Sequence, residues 1–286
     1  MSDYHGYATR SLSNSFLSLD VLEKSAPRIV RLVPAGTQLN LLAEMYDSVW
    51  DTPAGQYYML GGHRLWAGPE VPAVTYIPDH FDTVLEPLAH GYRLSHEDHF
   101  KTTHLRRQFE VTLDPAAPKV TLKHEIVNLA AEPFRLLPWA ITQFRLGGRA
   151  FLPVATAPAD PSALLPNRNL VLWPYDRLED KRLHLQNNGV VIDAQPEDVA
   201  IKVGVYAALG WSAIEFAEGW VVIKRFAVLP PEEHGDFDSN LQCYVKDSFI
   251  ELETLGRLGT LQPGQAVTHT EEWEVRQGSL ASLGLL

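Results

Sequence analysis

The chain has 286 residues, 45% of them apolar, a net charge of −11 and a pI of about 5.4. That length holds one large domain or two small ones, and that apolar share fills a core without disulfides or metals. The acidic balance speaks against a nucleic acid or an anionic membrane as partner, since both call for a basic face, and the single Cys243 rules out an intramolecular disulfide and fits a reducing compartment.

The first segment, "MSDYHGYATRSLSNSF", has no apolar run of signal-peptide type. No stretch approaches the roughly 20 apolar residues of a membrane helix. A cytoplasmic protein is the expectation. Next come "NSFLSLDVL", "PRIVRLVPAG" and "QLNLLAEMY", each alternating apolar and polar residues as a half-buried strand does. Then "YYMLGGHRLWAGPE", residues 57–70, sets Gly61 and Gly62 before His63, Arg64 and Trp66. Paired glycines allow a sharp turn or a close backbone approach. A guanidinium between an imidazole and an indole suits a sugar: the indole takes a C–H face and the polar groups take edge hydroxyls.

Six of the eleven histidines follow within 63–104. "LAHGYRL" places His90 before a glycine, exposed at a strand start. "SHEDHF" spaces His96 and His99 three apart and reads as a turn, so a solvated or structural role is expected there rather than a metal site. "RRQFEVTLD" and "VTLKHEIVN" (120–128) alternate again, and His124 falls on the face of Leu122 and Ile126 as a core histidine. "FRLLPWAITQFRL" carries Trp139 beside Thr142 and Gln143, followed by "RAFLPVA". The Pro- and Ala-rich run 153–169 is a long loop across the sheets, because the strand pattern is alike on both sides. "LWPYD" holds Trp173, Tyr175 and Asp176; Trp211 follows Gly210. Such indoles either stack on a ligand or fill a core. "AIKVGVYAAL" (200–209) and "GWVVIKRFAV" (219–228) alternate. In "EEHGDFDSN", Asp236 and Asp238 sit in a loop, binding hydroxyls or calcium or making Asx turns.

Near the end, "SFIELETLGRLGTLQPGQAVTHTEEWEV" (248–275) contains a strand from Phe249 to Leu255. Phe249, Glu251, Glu253 and Leu255 then share one face, with the two carboxylates roughly 7 Å apart along the strand. On a partly buried face they repel, one proton is held more tightly, and the pair suits acid–base work. In the closing strand Glu271 and Glu272 are expected at the surface. Twenty prolines and the lack of 3.6-residue periodicity speak against long helices. No G-x-S-x-G, P-loop, G-x-G-x-x-G or C-x-x-C motif is present.

Together "GGHRLWAGPE", "LLPWAITQF" and "FIELETLGRLGTLQPGQAVTHTEEW", supported by "NLLAE" and "VTLKHEIVN", resemble the galactose mutarotase-like (aldose 1-epimerase-like) superfamily over residues 40–275, with the closest likeness to a bacterial branch. The resemblance implies one all-β domain over 1–286, a β-supersandwich of large twisted antiparallel sheets with a sugar site on the concave face. It implies a Glu base at the anomeric hydroxyl, matched by Glu253, and an early Arg, matched by Arg64. The family's acid histidine has no counterpart: Pro138 and Trp139 stand about where it belongs. His63, His90 or His124 substitutes only if the fold brings it near, with His63 the candidate acid.

The expectation is therefore an aldose 1-epimerase-like protein with Glu253 and His63 as catalytic residues. Arg64, Trp66, Glu251, Trp139, Asp236 and His90 are expected to bind a small sugar or sugar derivative, without cofactor or metal, in a monomer or homodimer. The rival is a carbohydrate-binding protein that has lost the acid; a third class is a lyase or hydrolase of modified sugars.

Overall fold

Period-2 alternation becomes strand throughout the described residues, 2–286, of the computed structural model. Along the chain these strands are β1 (Ser2–Tyr4), β2 (Tyr7–Ser13), β3 (Leu17–Leu22), β4 (Ile29–Pro34), β5 (Glu44–Thr52), β6 (Gly55–Gly61) and β7 (His63–Gly68). A one-turn helix α1 (Pro72–Thr75) precedes β8 (Val84–Leu88), β9 (Gly91–Phe100), β10 (Thr103–Leu113), β11 (Lys119–Asn128), β12 (Phe134–Arg145) and β13 (Gly148–Pro153). After a long loop come β14 (Val171–Leu172), β15 (Leu183–Gln186), β16 (Gly189–Asp193), β17 (Ile201–Val205), β18 (Trp211–Phe216) and β19 (Trp220–Phe226). The last are β20 (Leu241–Val245), β21 (Phe249–Leu255), β22 (Gly259–Leu261) and β23 (Ala266–Gln277).

Two large antiparallel sheets result. The first has eleven strands, ordered β1-β2-β3-β4-β7-β12-β21-β20-β17-β14, with β22 beside β12; the second has ten, ordered β15-β16-β13-β18-β19-β23-β11-β10-β9-β8. The main core lies between them, with Leu65, Phe144 and Leu252 from the first sheet meeting Phe109, Ile126 and Trp273 from the second. β10 shows the logic plainly, since every second residue of "THLRRQFEVTL" is buried. β21 has no wet face: all seven of its residues are buried. One side meets the core. The other is overlaid by the separate β5–β6 hairpin, whose Tyr57 and Met59 pack on Trp66, Trp139, Ile141 and Leu255.

The glycine pair is what lets that hairpin fold over. Gly61 and Gly62 both have positive φ, +81° and +67°. A Cβ at Gly61 falls 2.2 Å from the Ala43 carbonyl oxygen, and one at Gly62 falls 1.9 Å from that of Ile29. No side chain fits at either position. The chain thus leaves the hairpin and enters the large sheet in two residues.

One expectation needs correction here. "SHEDHF" is strand rather than turn: β9 continues to Phe100, paired with Thr103, and Lys101 supplies the left-handed turn conformation. His96 is consequently buried beside Asp98, while His99 stacks on His104. The long loop is as read, since no strand forms between Val154 and Leu170.

Candidate functional site

Directly opposed residues of antiparallel strands point to the same face. The register pairs Trp66 with Trp139 and Arg64 with Ile141 across β7 and β12. It pairs Ile141 with Glu253 and Gln143 with Glu251 across β12 and β21. Tyr244 then opposes Glu251, and Lys202 opposes Tyr244. One face of five neighbouring strands therefore carries Arg64, Trp66, Trp139, Glu251, Glu253 and Lys202. This face floors a cleft of about 580 Å³. The β5–β6 hairpin, with Met45, Ser48 and Trp50, forms one wall; Tyr175 and the β20–β21 turn, Lys246 to Ser248, contribute to the rest.

The floor is an array of charges laid on indoles. Arg64 donates to Glu251 at 2.8 Å and its guanidinium lies 4.1 Å from the Trp66 ring centre. Lys202 donates to Glu253 at 2.9 Å and lies 4.5 Å from the ring of Trp139 and 4.9 Å from that of Trp173. The Trp139 Nε1–H donates to the same Glu253 oxygen at 2.6 Å. Glu253 is fully buried, whereas Glu251 is 8% exposed and lines the cleft. Burial raises the pKa of Glu251 to about 7; Arg64 opposes the rise and the neighbouring Glu253 adds to it. Several buried polar atoms on this face make no hydrogen bond within the protein: Nε and Nη1 of Arg64, Oε1 of Glu253 and both amide atoms of Gln143. Buried donors and acceptors without partners are costly, so these atoms are polar capacity that the protein leaves unused on this side of the sheet.

No family model matches the chain, and no curated protein matches it. Solved structures do. A candidate aldose 1-epimerase from Escherichia coli K12 is 15% identical with a TM-score of 0.58, over 95% of this chain and 100% of that one. The galactose 1-epimerase of Lactobacillus acidophilus NCFM is 12% identical with a TM-score of 0.54, over 98% of each chain. A TPR-domain containing protein from Parabacteroides distasonis gives a TM-score of 0.66 at 9% identity, over 96% of this chain and 48% of that one. The chain has the galactose mutarotase-like fold.

Within this fold the expected site residues separate. Arg64, Trp66, Trp139 and Glu251 line the cleft, and Glu253 lies directly beneath Lys202 and Trp139. Three residues lie elsewhere. His63 is one residue before Arg64 and so points from the opposite face of β7 into the core, where it is fully buried. It has no access to a ligand in the cleft, which removes it as the acid. His90 is exposed in the β8–β9 hairpin at the edge of the second sheet. Asp236 stands outside the cleft lining and accepts from Gln242 at 2.9 Å, which makes it a support for the loop.

His63 belongs to a polar cluster between the sheets, together with His124, His269, Thr142, Thr254, Lys224 and Glu271. Glu271 is thus fully buried and not at the surface, because its alternate position on β23 faces inward. The partners fix the protons. The Lys224 Nζ donates to Thr142 Oγ1, the Leu252 carbonyl and Glu271 at 2.9, 2.9 and 3.0 Å. The Thr142 hydroxyl then donates to His63 Nδ1 at 2.9 Å. His63 Nε2–H donates to His124 Nε2 at 2.8 Å, and His124 Nδ1–H to the His269 carbonyl at 3.1 Å. His269 Nε2–H donates to Thr254 Oγ1 at 2.7 Å, and the Thr254 hydroxyl to Glu271. The indole of Trp273 completes Glu271 at 2.8 Å.

Three neutral imidazoles and one Lys–Glu ion pair therefore satisfy one another. Burial lowers the pKa of all three histidines, His124 to about 4 and His269 to about 3. Burial alone would raise that of Glu271, but Lys224 holds it below the usual carboxylate range. His63, His124 and Glu271 bring ligand atoms within 4.8 Å of one another. They do not suit a cation: each ligand atom already has a partner, and the Lys224 ammonium occupies the position of the positive charge.

Reading the sequence for aromatics and acids missed Lys202 and Lys224. A signal was there: Lys202 stands between Ile201 and Val203 in "AIKVGV", and Lys224 follows the apolar run Val221-Val222-Ile223 in "GWVVIKRF". A lysine in an apolar strand needs an anionic partner, and each has one.

Proposed function

We propose that the protein is carbohydrate-active and interconverts the anomers of an aldose or aldose derivative, with Glu251 and Glu253 sharing the two proton transfers. The observation that carries this is the pair itself: two carboxyl groups two residues apart on the cleft-facing side of β21, Glu251 in the lining and poised near neutrality by burial and by its neighbour, Glu253 just beneath it. Two neighbouring carboxyl groups can divide acid and base roles between them. Glu253 is held under the lining by Lys202 and Trp139 and keeps one buried oxygen without a hydrogen bond; a shift of the Lys202 side chain uncovers this oxygen, which then takes the anomeric hydroxyl proton. Protonated Glu251 gives its proton to the ring oxygen. The C1–O5 bond breaks as the C1 carbonyl forms. Rotation about C1–C2 and reversal of the same steps yield the other anomer, each carboxyl regaining its starting state. Arg64, between Glu251 and Trp66, has donors left for a sugar hydroxyl. The pair thus takes over the role that the resemblance gives to a histidine, and the one histidine beside the floor strands faces the core.

Glu251→Gln and Glu253→Gln are nearly isosteric and unable to exchange protons. Each is expected to lower the anomerisation rate by about 10²- to 10⁴-fold, followed by polarimetry on freshly dissolved aldoses. Rates equal to wild type in both variants overturn the proposal. Sugar binding by the wild type with no acceleration above the spontaneous rate leaves a carbohydrate-binding protein.

A further inference from the structure

We infer that the cleft takes a sugar of at least two units, the reducing end of an oligosaccharide, rather than a free monosaccharide; this rests on the sugar reading above. The first observation is where aromatic faces are free. The floor indoles Trp66 and Trp139 are only 3% and 5% exposed. Arg64 and Lys202 already lie over their rings at 4.1 and 4.5 Å. Neither offers a face on which a pyranose could stack. The accessible rings stand on the walls: Trp50 of the hairpin is 38% exposed and Tyr175 is 43% exposed, and both line the cleft. They are carried by opposite ends of the strand series that makes the floor. Trp50 lies on the hairpin that runs into β7, and Tyr175 lies in the loop just after β14, at the far edge beyond β17.

The second observation is size. From β7 to β17 the floor crosses four strand spacings, about 19 Å at roughly 4.8 Å each. The cleft volume is about 580 Å³. At a water molecule's roughly 30 Å³ per non-hydrogen atom, an upper bound because bonded atoms pack more closely, a hexose needs less than about 360 Å³ and a disaccharide less than about 690 Å³, so the cleft exceeds one ring and is of the order of two. One ring at the carboxyl pair cannot span a floor that wide, so it leaves at least one of the two exposed wall rings without a sugar face. A second ring, linked away from the anomeric centre of the first, supplies that face, and C–H faces on aromatic rings are the contact such side chains are built to make. The linkage must leave the reducing end free, because the proton transfers act at its C1.

The test compares reducing sugars that share their terminal unit: glucose with maltose and cellobiose, galactose with 1,4-linked galactobiose, and mannose with 1,4-linked mannobiose. Anomerisation is followed by polarimetry and binding by titration calorimetry. At least one disaccharide is expected to show kcat/KM, or affinity, ten-fold or more above its monosaccharide. Trp50→Ala and Tyr175→Ala are expected to bring that ratio toward one. Catalysis with equal constants for every pair overturns this inference and leaves the epimerase reading intact. Tighter disaccharide binding without any catalysis supports this inference and overturns the epimerase reading. No binding of any of the sugars overturns both.

Discussion

Changing Glu271 to Gln tests the interior cluster where its cost is greatest. The substitution keeps an acceptor oxygen near Thr254 and Trp273 and removes only the charge. Lys224, fully buried, then keeps two hydrogen bonds but loses its counter-charge. Removing one partner of a buried ion pair costs about 3–5 kcal/mol. Unfolding entropy scales at about 2.1 cal/mol/K per residue, so 286 residues give about 0.6 kcal/mol/K and a loss of 4 kcal/mol lowers Tm by about 7 °C. Differential scanning calorimetry at pH 7 measures this directly. Lys224→Met in the same chain removes the orphaned charge, so the double variant is expected to be no less stable than the worse single one. A Tm drop under 2 °C for Glu271→Gln, or strictly additive losses in the double variant, would refute a charged pair in the core.

Three further outcomes follow from the same geometry. The buried histidines bind protons in the unfolded chain below about pH 6.5 but not in the folded one until about pH 4 for His124 and 3 for His269, so their contribution is full above pH 6.5 and is lost as pH falls through that window. For His124 alone the loss approaches about 3 kcal/mol, and urea midpoints that stay constant from pH 7 to 4.5 would contradict it. Arg64→Met removes a cation that lowers the pKa of Glu251, so the alkaline limb of the anomerisation profile is expected to move to higher pH; an unmoved limb assigns it to another group. Gly62→Ala forces a Cβ against the Ile29 carbonyl oxygen at positive φ, and a loss of more than about 3 kcal/mol is expected by chemical denaturation, whereas an unchanged midpoint would mean that this junction is soft.

The fold was legible because strand alternation is a local property. "THLRRQFEVTL" and "VTLKHEIVN" state which side of each strand is buried, and the structure follows them along the whole of the first and up to Ile126 in the second, where Val127 is buried as well. The floor of the cleft was half legible for the same reason: Glu251 and Glu253 at alternate positions share a face however the sheet is assembled. His63 and Arg64 show the limit. Adjacent residues of a strand must face opposite ways, and only the sheet order says that the even side meets the cleft while the odd side meets β11 and β23. Glu271 was misplaced because an acid in an alternating strand is surface-like unless a cation waits opposite. That cation, Lys224, lies 47 residues away on β19. Pairings between distant strands are a property of topology, and nothing in either local stretch encodes them.

The most direct test is whether anomers exchange faster in the presence of this protein. Exchange spectroscopy by NMR on aldoses labelled with ¹³C at C1 reads the α-to-β interconversion at equilibrium, with and without wild-type protein, at pH 7. Cross-peaks between the two C1 signals that grow with protein concentration and vanish with Glu253→Gln are the predicted result. Exchange at the spontaneous rate for every sugar that binds, at saturating protein, would contradict the proposal that the Glu251–Glu253 pair moves protons.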